Sequence, residues 1–455
     1  MWKESFIVPL HKSGDTDNVR NYRPISKLNS IAQLFDSLIH GKLSAVFGSH
    51  VVNQQHGFVK NRSTLTNLLN LTEYVADSFS DGTQVDAIYT DFSKAFDRVN
   101  LDALTYKLRC SGIKGNLLRW IVSYLTNRSQ VVRIGDTLSR RFSVRSGVPQ
   151  GSHLGPLLFV LFINDLGKHL NPETKFLFFA DDCKIFYKVN SPLDCQVLQA
   201  SLDSFADYCR TFCLDVNLDK CVKISFRKRL TGKLNFDYSL FGVKLSEVSE
   251  VRDLGVILDS KLTYKTHIEQ IYKKALRMLG YLIRTCRDFG NLGAIKAVYF
   301  SFVRSHLEYC CQVWSPRLAG DRVMLEKIQR RFIRFIFHKG LVPVEEPSEF
   351  HYHPLLESLN LQSLECRRDR FDSILLLRVI YFGAGDLSLD KYYRPNECMR
   401  QLRSHRTLTT LIDCPSTLNR CINFFNDISF NWDLVSDLSY SEAMRVVMGK
   451  IPLFR

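Results

Sequence analysis

The chain has 455 residues, 45% of them hydrophobic and 24% charged, which excludes wholesale disorder and predicts several domains rather than one. Lys and Arg number 61 against 46 Asp and Glu, so the net charge of +15 points to a polyanionic partner, nucleic acid or an anionic membrane face. The longest apolar run, Leu154 to Ile163, is far shorter than the roughly 18 residues of a membrane span, and the opening MWKESFIVPLHKSGD has no secretory core. An intracellular protein is expected, nuclear and/or cytoplasmic. The thirteen cysteines are odd in number and scattered, without a C-x-x-C or a zinc-finger spacing, and read as reduced thiols. His351 and His353 form an H-x-H with no neighbouring ligand pair to complete a metal site.

In chain order, residues 84 to 91 (QVDAIYTD) predict a short strand ending in Asp91, and Leu101, Leu104 and Leu108 then mark one face of a helix. Residues 175 to 189 (KFLFFADDCKIFYKV) predict two strands around a tight turn that carries Asp181 and Asp182. Leu198, Leu202, Phe205, Cys209 and Phe212 recur at helical spacing, and Val222, Ile224 and Phe226 then alternate as in a strand. Ile268, Ile271, Ala275, Met278 and Leu282 begin a basic region that reads as helical throughout to about Phe337. Leu341 to Pro354 reads as a linker, and residues 355 to 382 as helix stopped by Gly383. No internal repeat or low-complexity tract is visible.

The acidic pair carries the chemistry. Two adjacent carboxylates between FLFF and KIFY repel each other in a poorly solvated setting, and cations relieve that cost. Hard oxygen ligands suit Mg²⁺. If the strand ending in Asp91 lies beside the hairpin, three carboxylates converge, a donor set suited to a two-metal site. The plainer reading is a common Asp-Asp turn, in which the side chains satisfy backbone N–H groups.

Three runs in order decide between these readings: YTDFSKAFDRV (Tyr89 to Val99), SGVPQGSHLGPLLFVLFINDL (Ser146 to Leu166) and FADD (Phe179 to Asp182). Together they resemble the central motifs of reverse transcriptases, and within that group the non-LTR retrotransposon enzymes, most closely the jockey-like elements of arthropods. Val8 to Leu34 and QHGFVKNRST (Gln55 to Thr64) resemble the fingers motifs, Leu218 to Phe226 a later palm motif, and RDLGVILD (Arg252 to Asp259) the primer grip. The resemblance implies an α+β right-hand polymerase fold. Fingers and palm, with an antiparallel palm sheet, would occupy residues 1–250, and primer grip and helical thumb 251–340. A mostly helical segment of unassigned role would occupy 355–455.

The same resemblance implies roles for matching residues. Asp91, Asp181 and Asp182 would hold two Mg²⁺ ions, with Mn²⁺ able to substitute, and Lys220 would protonate the departing pyrophosphate. Phe96 would lie under the sugar and exclude a 2′-hydroxyl, with Phe92 beside it at the nucleotide; a core Phe is the competing reading for Phe96. Asp97 reads as a local cap rather than a ligand. Gln150 and Gly151 would contact the nucleotide, Lys60 and Arg62 its phosphates, and Leu254 and Gly255 would place the primer end. In KIQRRFIRFIFHK, Arg330, Arg331 and Arg334 could reach nucleic-acid phosphates from one edge of an amphipathic helix. The implied partners are an RNA template, a DNA primer and dNTPs, with no membrane.

Phe179 stands where many relatives carry Tyr, and the ring is kept. Full-length relatives carry an endonuclease ahead of the polymerase, and this chain starts just before the fingers motifs, so an element copy truncated at its N-terminus is expected. No retroviral RNase H or intron-type maturase signature follows the thumb. Three readings stay open: an RNA-directed DNA polymerase, a degraded copy that binds RNA without polymerising, or a basic structural RNA-binding protein.

Overall fold

Asn29, Asn100 and Ser191 each place a side-chain oxygen ahead of an apolar run, and each starts a helix: Ser30–Phe47, Leu101–Cys110 and Pro192–Thr211. The last begins with a full capping box, Ser191 with Asp194, and Pro192 in the first turn. The computed structural model describes residues 2–228, 232–342, 349–382, 416–427 and 438–451. Its contacts divide the chain into two units, one from residues 1–63, 84–225 and 232–248, the other from 64–83, 226–231 and 249–455.

The first unit carries, in chain order, β1 (Glu4–His11), β2 (Tyr22–Lys27), β3 (Gln84–Thr90), β4 (Arg128–Ile134), β5 (Thr137–Leu138), β6 (Phe142–Val144), β7 (Lys175–Phe179), β8 (Asp182–Val189), β9 (Val222–Phe226), β10 (Ser239–Leu240), β11 (Val243–Lys244) and β12 (Ser246–Glu247). One sheet has the order β2-β1-β4-β5 with β6 also on β4, and β1 runs parallel to β4. The other has the order β12-β9-β3-β8-β7. Its β3–β8 and β7–β8 pairs are antiparallel, but β12 joins β9 in parallel. The sheet expected to be antiparallel is therefore mixed. After β9 the chain makes the β10–β11 hairpin and returns to the start of β9, which only a parallel edge strand accommodates.

The apolar run that is too short for a membrane forms the helix Leu154–Ile163, whose side chains are buried on nearly every face. It sits in a core with Phe178, Ile185, Leu198, Leu202 and Phe205. Asp36 receives the first free N–H groups of this helix, from His153 at 2.6 Å and Leu154 at 3.3 Å. β9 does not alternate as the sequence suggests. Lys223 and Ser225 are buried along with Ile224 and Phe226, because the strand lies inside the sheet.

The second unit holds the helix Thr64–Ser80, a hairpin of β13 (Glu250–Asp253) and β14 (Val256–Asp259), and the long helices Lys265–Thr285, Ala319–His338 and Leu364–Phe382. The continuous helix expected up to Phe337 is interrupted around Gly290, at Tyr309–Cys310 and before Leu318, where Pro316 intervenes. A helix at Tyr352–Ser358 starts inside the expected linker, with Pro354 tolerated in its first turn. Residues 359–363 then split the expected 355–382 helix, and Gly383 lies outside the described residues. Glu73 accepts the N–H groups of Thr417 (2.8 Å) and Leu418 (3.3 Å), so the helix Thr417–Asp427 is built into this unit. No described helix is long and apolar enough to cross a membrane.

Candidate active site

Antiparallel register fixes the acidic residues at one end of the second sheet. Thr90, the last residue of β3, pairs with Cys183 of β8, so Asp91 follows opposite Asp182. Phe179 of β7 pairs with Asp182, leaving Ala180 and Asp181 as the two turn residues. Burial pushes the Asp181 carboxyl up, and the nearby charge of Asp91 adds to it, against its own backbone N–H and the cations Arg23 and Lys12. Asn217 N–H donates to Asp91 O at 2.7 Å, which holds the following segment at this sheet end and lets Lys220 Nζ reach Asp91 Oδ2 at 2.9 Å. Among the described residues, no group of three or more His, Cys, Asp or Glu side chains is arranged to hold a metal ion. The donor set nevertheless fits hard divalent cations. It is all oxygen, and the Asp91 charge already works against ionisation of Asp181.

The loop before the buried helix meets the first sheet. Gln150 O accepts the Ser26 N–H at 2.7 Å. A Cβ on Gly151, whose φ is +110°, would stand 2.5 Å from Ser26 O, so the loop can approach β2 only through glycine. Gln150 Nε2 donates to Asp97 Oδ1 at 2.8 Å. Asp97 is therefore not the cap the sequence suggested: Lys94 holds the position before the short helix Ala95–Arg98, and the Asp97 carboxyl, raised by burial, receives Gln150 instead. Beside this pair lies a cavity of about 350 Å³ lined by Pro24, Ser26, Asp97, Arg128, Gln130 and Gln150 among others. Arg128 is buried, donates through Nη1 to Tyr124 O at 3.0 Å, and leaves Nη2 without a partner among the described residues.

Phe92 is a correction. It is 4% exposed and packs against Phe205 at 5.8 Å, so it belongs to the core and not to a nucleotide surface. Pairing with Val216 turns it inward directly after β3. Phe96 is half-buried, stacked on Phe159 at 4.6 Å with Phe58 edge-on at 6.3 Å. Lys60 is exposed. Arg62 donates to Val52 O (2.6 Å), Gln55 O (2.7 Å) and Asn53 Oδ1 (3.0 Å), which ties down its own loop.

In the second unit, Leu254 and Gly255 are the central residues of the β13–β14 turn, with φ of +44° and +91°. Tyr309 Oη donates to Leu254 O at 2.8 Å. Arg330, Arg331 and Arg334 are exposed on the helix Ala319–His338, opposite buried Ile328, Phe332 and Ile336. Arg330 lies over the Tyr352 ring at 4.8 Å and Arg334 over Phe350 at 4.9 Å. His351 is exposed, with Nε2 3.6 Å from Glu349.

Sequence reasoning missed Gln55, Tyr309 and Arg128. Gln55 opens the run QHGF, which the sequence did single out. Nothing in periodicity or spacing marks Tyr309 or Arg128.

Residues 10–283 match the family described as reverse transcriptase (RNA-dependent DNA polymerase). The chain belongs to this family. It is 30% identical over 348 residues to the probable RNA-directed DNA polymerase from transposon BS of Drosophila melanogaster, covering 74% of this chain and 38% of that protein. It is 29% identical to the RNA-directed DNA polymerase from mobile element jockey of the same species, covering 72% and 37%. The chain thus spans less than two-fifths of the length of these relatives. Among solved structures it is similar to an apo telomerase from Candida tropicalis, at 11% identity and a TM-score of 0.44, over 79% of this chain and 61% of that one.

Proposed function

We propose that this chain is an RNA-directed DNA polymerase of a non-LTR retrotransposon, which extends a DNA primer on an RNA template. The observation that carries this reading is the placement of Asp91, Asp181 and Asp182 at one sheet end in a member of the reverse transcriptase family. In the reaction, the primer 3′-oxygen attacks the α-phosphorus of a dNTP and pyrophosphate leaves.

The three aspartates would hold two Mg²⁺ ions, with Mn²⁺ able to substitute. Bound there, the ions supply Lewis acidity and neutralise phosphate charge. The chain's own residues do the rest by position. Lys220, whose Nζ meets Asp91 Oδ2 at 2.9 Å, would deliver a proton to the leaving pyrophosphate. Phe96, stacked on Phe159, would lie under the sugar and exclude a ribose 2′-hydroxyl. Gln150 and Gly151 would contact the nucleotide. Lys60 is the freer of the two loop cations to meet the triphosphate, because Arg62 is engaged with loop carbonyls. The first unit would serve as fingers and palm. Leu254 and Gly255 in the second would grip the primer, and Arg330, Arg331 and Arg334 would follow its phosphates.

Primer extension on an RNA template with Mg²⁺ tests this. Wild type should incorporate dNTPs, and Asp181→Asn should bind RNA but lose at least about 10³-fold in rate, the scale of several kcal/mol of metal stabilisation. Equal extension by both proteins overturns the reading. RNA binding without extension by wild type supports the degraded-copy alternative.

A further inference from the structure

The acidic turn stands in an unfavourable backbone state. Ala180 has φ of +55°, a left-handed conformation that side-chain-bearing residues rarely adopt, and it directly precedes Asp181. The two-residue hairpin turn demands positive φ here, at a cost for a side-chain-bearing residue, and one side chain in the first unit meets the backbone of that residue.

Gln55 is 1% exposed and lies against the turn. Its Oε1 accepts the N–H of Ala180 at 3.0 Å and that of Gly57 at 2.8 Å. Its Nε2 donates to Ala180 O at 3.4 Å. A single amide thus meets both backbone groups of the strained residue. The chain around Gln55 is anchored in turn. Phe178 N–H donates to Gln54 O at 2.8 Å and His56 N–H to Phe178 O at 2.9 Å, a short parallel bridge to β7. A Cβ on Gly57 would stand 2.2 Å from Ala180 N, so the loop can lie this close only with glycine there. Arg62 secures the far side by donating to the carbonyls of Val52 and Gln55.

We infer that Gln55 is a positioning residue for the catalytic carboxylates, fixing the Ala180 turn so that Asp181 and Asp182 are presented together before any cation arrives. This rests on the polymerase reading only for its effect on extension; the geometry of the turn stands apart from it. Arg62 acts at one remove, holding the loop that carries Gln55. The run QHGF followed by Arg62 thereby has a function in shaping the acidic turn rather than in touching the triphosphate.

Two variants test the inference. Gln55→Leu keeps the approximate volume and removes all three hydrogen bonds. Gln55→Glu keeps the acceptor for the Ala180 and Gly57 N–H groups. Hydrogen exchange at the Ala180 amide should quicken about tenfold or more in Gln55→Leu, with amides in the middle of β3 unchanged, and should stay slow in Gln55→Glu. The Mg²⁺ concentration for half-maximal primer extension should rise about tenfold in Gln55→Leu, with rate recovered at high Mg²⁺ and apparent KM for dNTP unmoved. Unchanged exchange at Ala180, or a loss of rate with an unshifted Mg²⁺ midpoint, overturns the positioning role. An inactive wild type would count against the polymerase reading, while the exchange measurement would still decide on Gln55.

Discussion

Two tight turns, one in each unit, carry residues proposed for the site, and each contains a side-chain-bearing residue with positive φ: Ala180 at +55° and Leu254 at +44°. Each is supported from a distant segment, the first by the Gln55 amide and the second by the Tyr309 hydroxyl. The supports differ in strength and burial. Gln55 is fully buried and meets both the N–H and the O of its turn residue, whereas Tyr309 is exposed and meets one carbonyl. The difference follows the charge they hold. The first turn crowds carboxylates whose repulsion works against a fixed geometry, while the second bears no charge on its central residues.

The comparison can be broken at either turn. The largest effect belongs to the acidic one, where Asp181→Asn should slow extension by at least about 10³-fold. Acid comes next. Burial first, then the charges of Arg62 and Lys184, push the His56 imidazole down to about 3 from its ordinary 6.5. The folded chain keeps it neutral while the unfolded chain takes up a proton below about 6.5, so the unfolded state binds more protons in this window. Stability contributed by His56 is therefore present above pH about 6.5 and lost as pH falls toward about 3. In the second unit His267, pushed down to about 4 by burial and then Arg252, acts with the same sign. Thermal unfolding followed from pH 7 to 4 should show a falling midpoint, and His56→Gln should flatten the fall; an unaltered slope would contradict the assignment. The smallest effect belongs to the second turn. Tyr309→Phe removes one exposed hydrogen bond of about 1 kcal/mol, so apparent KM for primer should rise about fivefold with kcat kept. A drop in kcat with unchanged primer KM would argue against a role at the primer end.

The strand ending at Asp91 and the hairpin bearing Asp181 were legible because buried strands and a two-residue turn leave strong local patterns. The helical faces marked by Leu101, Leu104 and Leu108 and by Leu198 to Phe212 were equally local. What could not be read were partnerships across the chain. Gln55 and Ala180 are separated by 125 residues, Tyr309 and Leu254 by 55, and neither pair has a periodic signal. Phe92 and Phe96 look alike in sequence, and only the Val216 pairing turns the first into the core. Asp97 read as a local cap, but a longer-range hydrogen bond from Gln150 prevailed. The parallel β12 edge was hidden for the same reason, since direction is set by the return path after β9.

The account stands on three aspartates acting as one cation site, and Mn²⁺ binding followed by electron paramagnetic resonance, in the presence of primer–template and dNTP, tests this most directly. Wild type should take up Mn²⁺, and Asp91→Asn and Asp181→Asn should each lose it, while Asp97→Asn, altered at the carboxyl that receives Gln150, should bind as wild type does. Undiminished binding by Asp91→Asn and Asp181→Asn would contradict the account.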